Sequence, residues 1–361
     1  MAAGETPALE DLAAQSARPE RIAELTEELV PKLQMASKAI GKVNSQTRLL
    51  SFNAQIEASR AGGGTGAAFG VVASAMRNLA DKTASILHTL ERETSMANST
   101  LQSIITMLAT TVRGTRLSDL ALTNIDLIDR NLYERSCDVR WWAADTSCVQ
   151  ALTITSEDSH RYCSSRFSLI LNSYTVYYDL VLCDINGNVV ANGRPNKYGS
   201  IGTNCSETQW FKTAIETKTG EEHGFEGVHR CPLVDGQRVL VYSCCVRTQG
   251  SVDGEALGVL GIIFNWDSLA QTIVSATPLE AEEKESSRVV IVDEDGLILA
   301  DTDGRQLCES IDLKNWAHLK TRGKGYVNTT IDDQKYCVGF AASPGYETYK
   351  TGWYSLIMQR E

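Results

Sequence analysis

From Ile22 onward, apolar and small residues recur in alternating steps of four and three: Ile22, Thr26, Leu29, Leu33, Ala36, Ile40, Val43, Thr47, Leu50 and Ala54. This heptad pattern predicts a long helix whose seam packs on another helix. Pro31 lies inside the pattern, so either the helix kinks there or a new one begins with Pro31 in its first turn. A second seam, Phe69, Val72, Met76, Leu79, Thr83, Ile86 and Leu90, predicts a returning helix. Between them, residues 61–68 read Ala-Gly-Gly-Gly-Thr-Gly-Ala-Ala. So short a reversal makes the two helices antiparallel. One such hairpin has only a thin stripe of Ala, Thr and Leu to bury, so a homodimer forming a four-helix coiled coil is expected.

After Gly114 the pattern predicts a new helix over 118–145, with Leu120, Ile125, Leu127, Ile128, Leu132, Val139 and Trp142 on its buried side. A further helix is expected over 157–173. The period then changes to that of strands: 174–183 and 189–191 flank Asp184-Ile-Asn-Gly-Asn188, where Asn186-Gly187 suits a hairpin turn. A helix around 210–218 and strands near 224–229, 238–247 and 257–265 follow, which predicts a five-stranded antiparallel sheet with helices on one face. The order then repeats: a connecting helix at 267–283, strands at 288–292 and 297–300, a short helix near Trp316, and strands at 325–330, 335–342 and 353–359. The likeness of LVLCDINGNVVANG to VVIVDEDGLILADT marks an internal repeat.

Composition sharpens this division. Within the 361 residues, positions 1–115 hold 11 basic and 11 acidic side chains and contain no Cys, Trp or Tyr. All ten Cys, six Trp and twelve Tyr lie beyond, and so does the whole net charge of −11. That balance argues against a protein that tracks nucleic-acid phosphates, which needs a basic face. The opening MAAGETPALEDL lacks the basic and apolar regions of a secretory signal, and the apolar stretch 101–112 is too short and too interrupted to span a bilayer. A cytoplasmic protein without a membrane span is expected. The scattered cysteines, with no CxxC pair, suit reduced thiols.

Gln46-Thr-Arg-Leu-Leu-Ser-Phe-Asn-Ala-Gln-Ile-Glu-Ala-Ser-Arg-Ala-Gly62, followed by Phe69-Gly-Val-Val-Ala73 and Arg77-Asn-Leu-Ala80, resembles the signalling tip of methyl-accepting chemotaxis proteins. The resemblance implies docking of the chemotaxis histidine kinase and its coupling protein, and packing of dimers into trimers. Leu49, Phe52, Asn53, Ile56, Glu57 and Arg60 fall on the family's trimer-contact positions, and Phe69, Val71 and Val72 on its returning helix. The residues fit that role: Glu57 and Arg60 are three apart on one helical face, with Asn53 one turn earlier, beside an apolar rim of Leu49, Phe52 and Ile56. The family's turn usually reads Ala-Gly-Glu-x-Gly-Arg-Gly-Phe. Here Gly63 stands in place of the Glu, Ala67 in place of the Arg, and one residue is added, which implies a weakened, retuned or lost kinase contact. Glu27-Glu28, the one adjacent acidic pair in the hairpin helices, is followed at once by Leu29, Val30 and Pro31, so methyl acceptance is not expected.

Residues 116–361 resemble a double Cache sensor through the long helix with Tyr133-Glu-Arg, the Asp-x-Asn-Gly hairpin, Trp210-Phe211 opening a helix, the 258–261 strand and the second Asp-Gly hairpin. The resemblance implies a small-molecule ligand in the first lobe, between the sheet and its covering loops. Tyr177, Trp210, Phe211 and Tyr242 come from elements bordering that pocket, with Asp184, Asn192 and Asn265 as polar candidates; each aromatic alone is equally at home in a core. Family members that bind amino acids carry an Arg two residues before the aromatic pair and an Asp on the last strand of the lobe. Those positions hold Thr208 and Ile263, so a free α-amino acid is not the expected ligand.

The expected fold is therefore α+β and multidomain: an antiparallel α-helical coiled-coil hairpin over 1–115 (tip about 44–80), then a two-lobed PAS-like double Cache sensor over 116–361 with a long N-terminal helix. Lobe one covers about 174–266 and lobe two about 286–361. The expected function is a chemoreceptor-like transducer. Alternatives are an array interaction protein without kinase control, or a redox or metal sensor using His229 and Cys231, with His223 one short strand earlier. No GxSxG, HExxH, CxxCH or Walker motif is present, so neither an enzyme nor a bound cofactor or metal is expected.

Overall fold

The computed structural model describes residues 19–311, 313–314 and 316–360. The opening segment, residues 1–18, in which the absence of a signal was expected, lies outside the described residues, as do the side chains of the seam positions Ile22 and Thr26. The chain divides into two compact units at Val112 and Arg113.

In the first unit, α1 (Pro19–Ala61) and the start of α2 (Gly63–Ala143) form the hairpin. Pro31 sits within α1, which continues past it as one helix. The reversal is tighter than the sequence suggests. Only Gly62 lies outside the helices, and Gly62 and Gly63 both take positive φ, +59° and +67°, a region that favours glycine. Ser37 donates to Glu91 across the pair (2.8 Å), and Arg48 faces Asp81 (3.7 Å), which confirms the antiparallel register.

The line buried between these helices is not the predicted apolar seam. Ser51 and Ala58 on α1 and Ala73 and Ala80 on α2 are buried, as is Ser37 opposite Glu91, while Leu29, Leu33, Ile40, Val43 and Leu50 and their counterparts Phe69, Val72, Leu79, Ile86 and Leu90 remain exposed. Small side chains let the two backbones close on each other and leave the larger apolar residues on the outside. A stripe of uncovered Leu, Ile and Val of this length is unusual on a protein that stays alone.

The second unit contains the rest of α2, then α3 (Thr146–Ile154) and α4 (Glu157–Ser173). Helix α2 is unbroken where the sequence predicted a boundary near Gly114. The glycine serves contact rather than helix termination: a Cβ there would lie 2.2 Å from the Tyr326 ring. Helix α3 was also not expected; Asp145 caps its start, accepting from the Ser147 N–H, and Thr155 ends it with φ +51°.

Two five-stranded antiparallel sheets follow. The first consists of β1 (Tyr177–Asp184), β2 (Val189–Asn192), β3 (Gly224–Cys231), β4 (Gln237–Arg247) and β5 (Ala256–Asn265), with α5 (Gln209–Ile215) between β2 and β3. Its order is β2-β1-β5-β4-β3. In place of one connecting helix over 267–283 there are a wide turn at Asp267–Gln271, α6 (Thr272–Ser275) and α7 (Ala281–Ser286), because Pro278 interrupts the run. The second sheet has β6 (Ser287–Val292), β7 (Ile298–Asp301), β8 (Lys324–Ile331), β9 (Gln334–Ala342) and β10 (Tyr354–Arg360), with α8 (Trp316–Arg322) before β8. Its order, β7-β6-β10-β9-β8, reproduces that of the first, so the internal repeat is structural.

Both sheets turn one face to α2. Leu117, Ala121, Ile125, Ile128, Leu132 and Val139 form its buried stripe, in one apolar cluster with Leu180, Leu260 and Phe264 of lobe one and Val289, Ile291 and Ile357 of lobe two. Polar ties fix this arrangement. The buried Asp129 accepts from the Ser343 hydroxyl (2.5 Å), the Gly345 N–H (2.8 Å) and the Thr351 hydroxyl (2.7 Å). The Trp266 indole N–H donates to the Leu299 carbonyl (2.7 Å), and the Tyr242 and Tyr349 hydroxyls bond across the lobes (2.5 Å).

Candidate functional site

The opposite face of each sheet carries its own apolar cluster. On lobe one it gathers Val181, Val241 and Ile263 from three neighbouring strands beneath Trp210 and Phe211 of α5. The helix is placed by its first turn: the Trp210 N–H donates to Glu226 (3.1 Å), and Ser243 donates to the Trp210 carbonyl (2.6 Å). Beside this cluster, Asp179 is fully buried and accepts from the Gly193 and Arg194 N–H groups and from the Asn192 amide, at 3.0–3.1 Å. Burial pushes its carboxyl up to about 6, against the pull of these donors. The Asn192 amide also donates to the Tyr198 carbonyl and to Ser200, which ties the segment after β2 to the sheet. Asp179 was not singled out in the sequence; only burial distinguishes it from the many turn aspartates.

The seven ligand-site candidates do not all converge. Trp210 and Phe211 lie on this outer face, whereas Tyr177 and Tyr242 point to the α2 side. Tyr177 donates to Asp138 (2.6 Å) and packs edge-on against Trp142 and Phe264. Tyr242 joins the hydroxyl pair with Tyr349, and burial raises the pKa of both phenols, so they stay protonated. Asp184 accepts from the N–H groups of Asn186 and Asn188 and so caps the β1–β2 turn. Asn265 caps the turn after β5 by accepting from the Ser268 N–H. Thr208, at the start of α5, gives its hydroxyl to the Cys205 carbonyl, and Ile263 is buried in β5.

In the tip, Leu49, Phe52, Asn53, Ile56, Glu57 and Arg60 are all exposed. At 100° per residue they share one face of α1, roughly opposite the buried Ser51 and Ala58. Glu57 and Arg60 pair at 2.8 Å. Val71 is also exposed, on α2. This face pairs large apolar groups with a fixed ion pair, the composition of a specific helix-docking surface.

His229 bonds the Gly227 carbonyl (2.8 Å) and faces Glu226 at 3.8 Å, while Cys231 is buried in the outer cluster. His223 lies against the Tyr242 ring. Among the described residues, no three His, Cys, Asp or Glu side chains come together as a metal site, and no helix is long and apolar enough to cross a membrane.

A family model described as the Cache domain matches residues 70–361, and one described as the methyl-accepting chemotaxis protein signalling domain matches residues 11–128. No curated protein matches the chain. Solved structures do. The sensor domain of the V. cholerae histidine kinase DctB is 15% identical over 68% of this chain and 98% of its own, with a TM-score of 0.50. The Campylobacter jejuni chemoreceptor Tlp3 ligand-binding domain, in complex with L-norvaline, is 15% identical over 68% of this chain and 90% of its own, with a TM-score of 0.51. A second structure of the Tlp3 sensory domain gives 16%, 68%, 92% and 0.50. At such identities the likeness is one of fold.

Proposed function

From the premise that this chain belongs to the Cache domain family, and carries a methyl-accepting chemotaxis protein signalling domain as well, we propose that it is a chemoreceptor-like transducer whose hairpin tip reports to the chemotaxis histidine kinase and its coupling protein. The observation that carries this reading is α2. One uninterrupted helix supplies Ala73 and Ala80 to the hairpin seam and Leu117, Ile125 and Leu132 to the sensor core. A ligand that favours one packing of the sensor around this helix changes the population of hairpin packings by its difference in affinity for the two. The exposed apolar stripe supports a homodimer in a four-helix coiled coil, and the Leu49-to-Arg60 face supports a trimer of such dimers. The proposed setting is the cytoplasm, and the proposed role is non-enzymatic.

The small-molecule ligand is assigned to the outer face of lobe one, with Trp210 and Phe211 as its apolar side and the Asp179–Asn192 pair among its polar groups. Thr208 and Ile263 supply neither the cation nor the anion that an α-amino acid requires, which favours a ligand of different charge pattern. A thermal-shift screen of metabolites on the full chain tests this assignment. A binding compound raises the unfolding midpoint, by roughly 2.7 kcal/mol of added stability at a hundredfold excess over its dissociation constant. Phe211→Leu is expected to weaken the best hit without unfolding the chain. A hit unaffected by that change, or an L-amino acid as the best hit, counts against the assignment.

A further inference from the structure

Cys183 ends the outer-facing row of β1, and Cys205 lies in the segment that leads from β2 to α5. Backbone bonds bring the two regions together: Cys183 is in register with Val189, the Val189 N–H donates to the Thr203 carbonyl (2.9 Å), and the Cys205 N–H donates to the Gly187 carbonyl (2.7 Å). Both side chains belong to the apolar cluster that contains Trp210 and Phe211. Within that cluster the Cys183 and Cys205 side chains contact each other. That contact holds the Cys205 pKa below the ordinary thiol range and raises that of Cys183. Cys205 is buried, but its neighbours Ile201, Gly202, Thr203 and Asn204 are exposed, so a small local opening uncovers it.

A second thiol pair provides the contrast. Cys148 on α3 and Cys163 on α4 also touch, yet both are fully buried in the inner core, and contact with Cys163 raises the Cys148 pKa well above the ordinary range. A thiol needs both access and thiolate character to react.

We propose that Cys183 and Cys205 are an oxidation site, converted by hydrogen peroxide into a disulfide that ties the segment between β2 and α5 to β1 on the proposed ligand-facing side of lobe one. The Cys205 thiolate attacks one peroxide oxygen, the O–O bond breaks, and a sulfenic acid forms as hydroxide leaves and takes a proton to become water. Cys183 then attacks the sulfenic sulfur; the S–S bond forms, and the sulfenic oxygen leaves with a proton as a second water. Two thiols are oxidised and one peroxide is reduced. The pair is distinct from the His229–Cys231 couple read in the sequence.

The test treats the reduced full chain with hydrogen peroxide and maps its thiols by mass spectrometry after digestion without reductant. Cleavage at Lys197 separates the two cysteines, so a disulfide joins two peptides that otherwise come apart. The first linked product is expected to be Cys183–Cys205, with two of the ten thiols lost and Cys148 and Cys163 still free. Amide exchange over residues 198–208 is expected to slow roughly tenfold and to recover with dithiothreitol. Cys183→Ser is expected to leave a sulfenic acid on Cys205 that dimedone traps, and Cys205→Ser to leave Cys183 unreacted. Linkage of Cys148–Cys163 before Cys183–Cys205, a Cys205→Ser chain in which Cys183 still oxidises, or a linked chain with unchanged exchange overturns the proposal.

Discussion

Trp210→Ala is expected to destabilise the second unit by about 3–5 kcal/mol, the usual cost of removing a large aromatic from a core. Trp210 is only 1% exposed, and its ring fills the space above Gly261, where a Cβ would already lie 2.9 Å from it. Val181, Val241 and Ile263 beneath it project from strands fixed by pairing on both sides, which limits collapse into the cavity. The Ser243 hydroxyl bonds the main-chain carbonyl of Trp210, so that contact survives the truncation and the loss is one of packing. Chemical denaturation of wild type, Trp210→Phe and Trp210→Ala checks this, with Phe expected between the other two. A loss below about 1 kcal/mol for Ala would mean that the ring is peripheral.

The second large effect is expected at Asp129. Replacing this fully buried carboxylate with alanine leaves the Gly345 N–H and two hydroxyls of the 343–351 loop without their acceptor, at a cost of about 3 kcal/mol. The hydroxyls of Ser343 and Thr351 can rotate toward other acceptors, but the Gly345 N–H cannot. Asp129→Asn keeps one acceptor oxygen and is expected to lose less. Since Tyr349 in the same loop bonds Tyr242 of lobe one, Asp129→Ala should also loosen the contact between lobes. Amide exchange at residues 343–351 reads this directly, and unchanged protection in the alanine variant would contradict it.

Neither site was legible in the same degree. The heptad hairpin, its glycine turn and the repeated sheet follow from local spacing, because a 3.5-residue period and two Asx-Gly turns each act over a few residues. The continuity of α2 does not. Gly114 reads as a breaker until Tyr326, more than two hundred positions away, occupies the space where its side chain would be. The grouping of Tyr177 and Tyr242 with Trp210 fails for another reason. β4 and β5 are covered on both faces, so apolar residues occupy both parities and the pattern does not say which side a given tyrosine takes. The bulge between Tyr177 and Asp179 shifts the parity again in β1. In the hairpin, the heptad identifies a face correctly as apolar, while the closer-packing Ser and Ala stripe of the chain itself gives a weak signal. Asp129 gave none, since its partners lie in a loop at the far end of the chain.

The central claim is that the hairpin tip reports to the chemotaxis kinase, and that the trimer-contact face bearing Glu57 and Arg60 is required for it to do so. Its most direct test is autophosphorylation of the kinase, reconstituted with its coupling protein and the full chain, either native or with the ion pair reversed as Glu57→Arg and Arg60→Glu. The account predicts that the native chain is retained on the kinase complex and changes its phosphorylation rate, and that reversal removes the change by roughly tenfold or more, because the apolar rim then meets partners with its charges misplaced. A native chain that leaves the kinase rate unaltered, or joins receptor assemblies without touching the kinase, would contradict the claim and mark the protein as an array interaction partner.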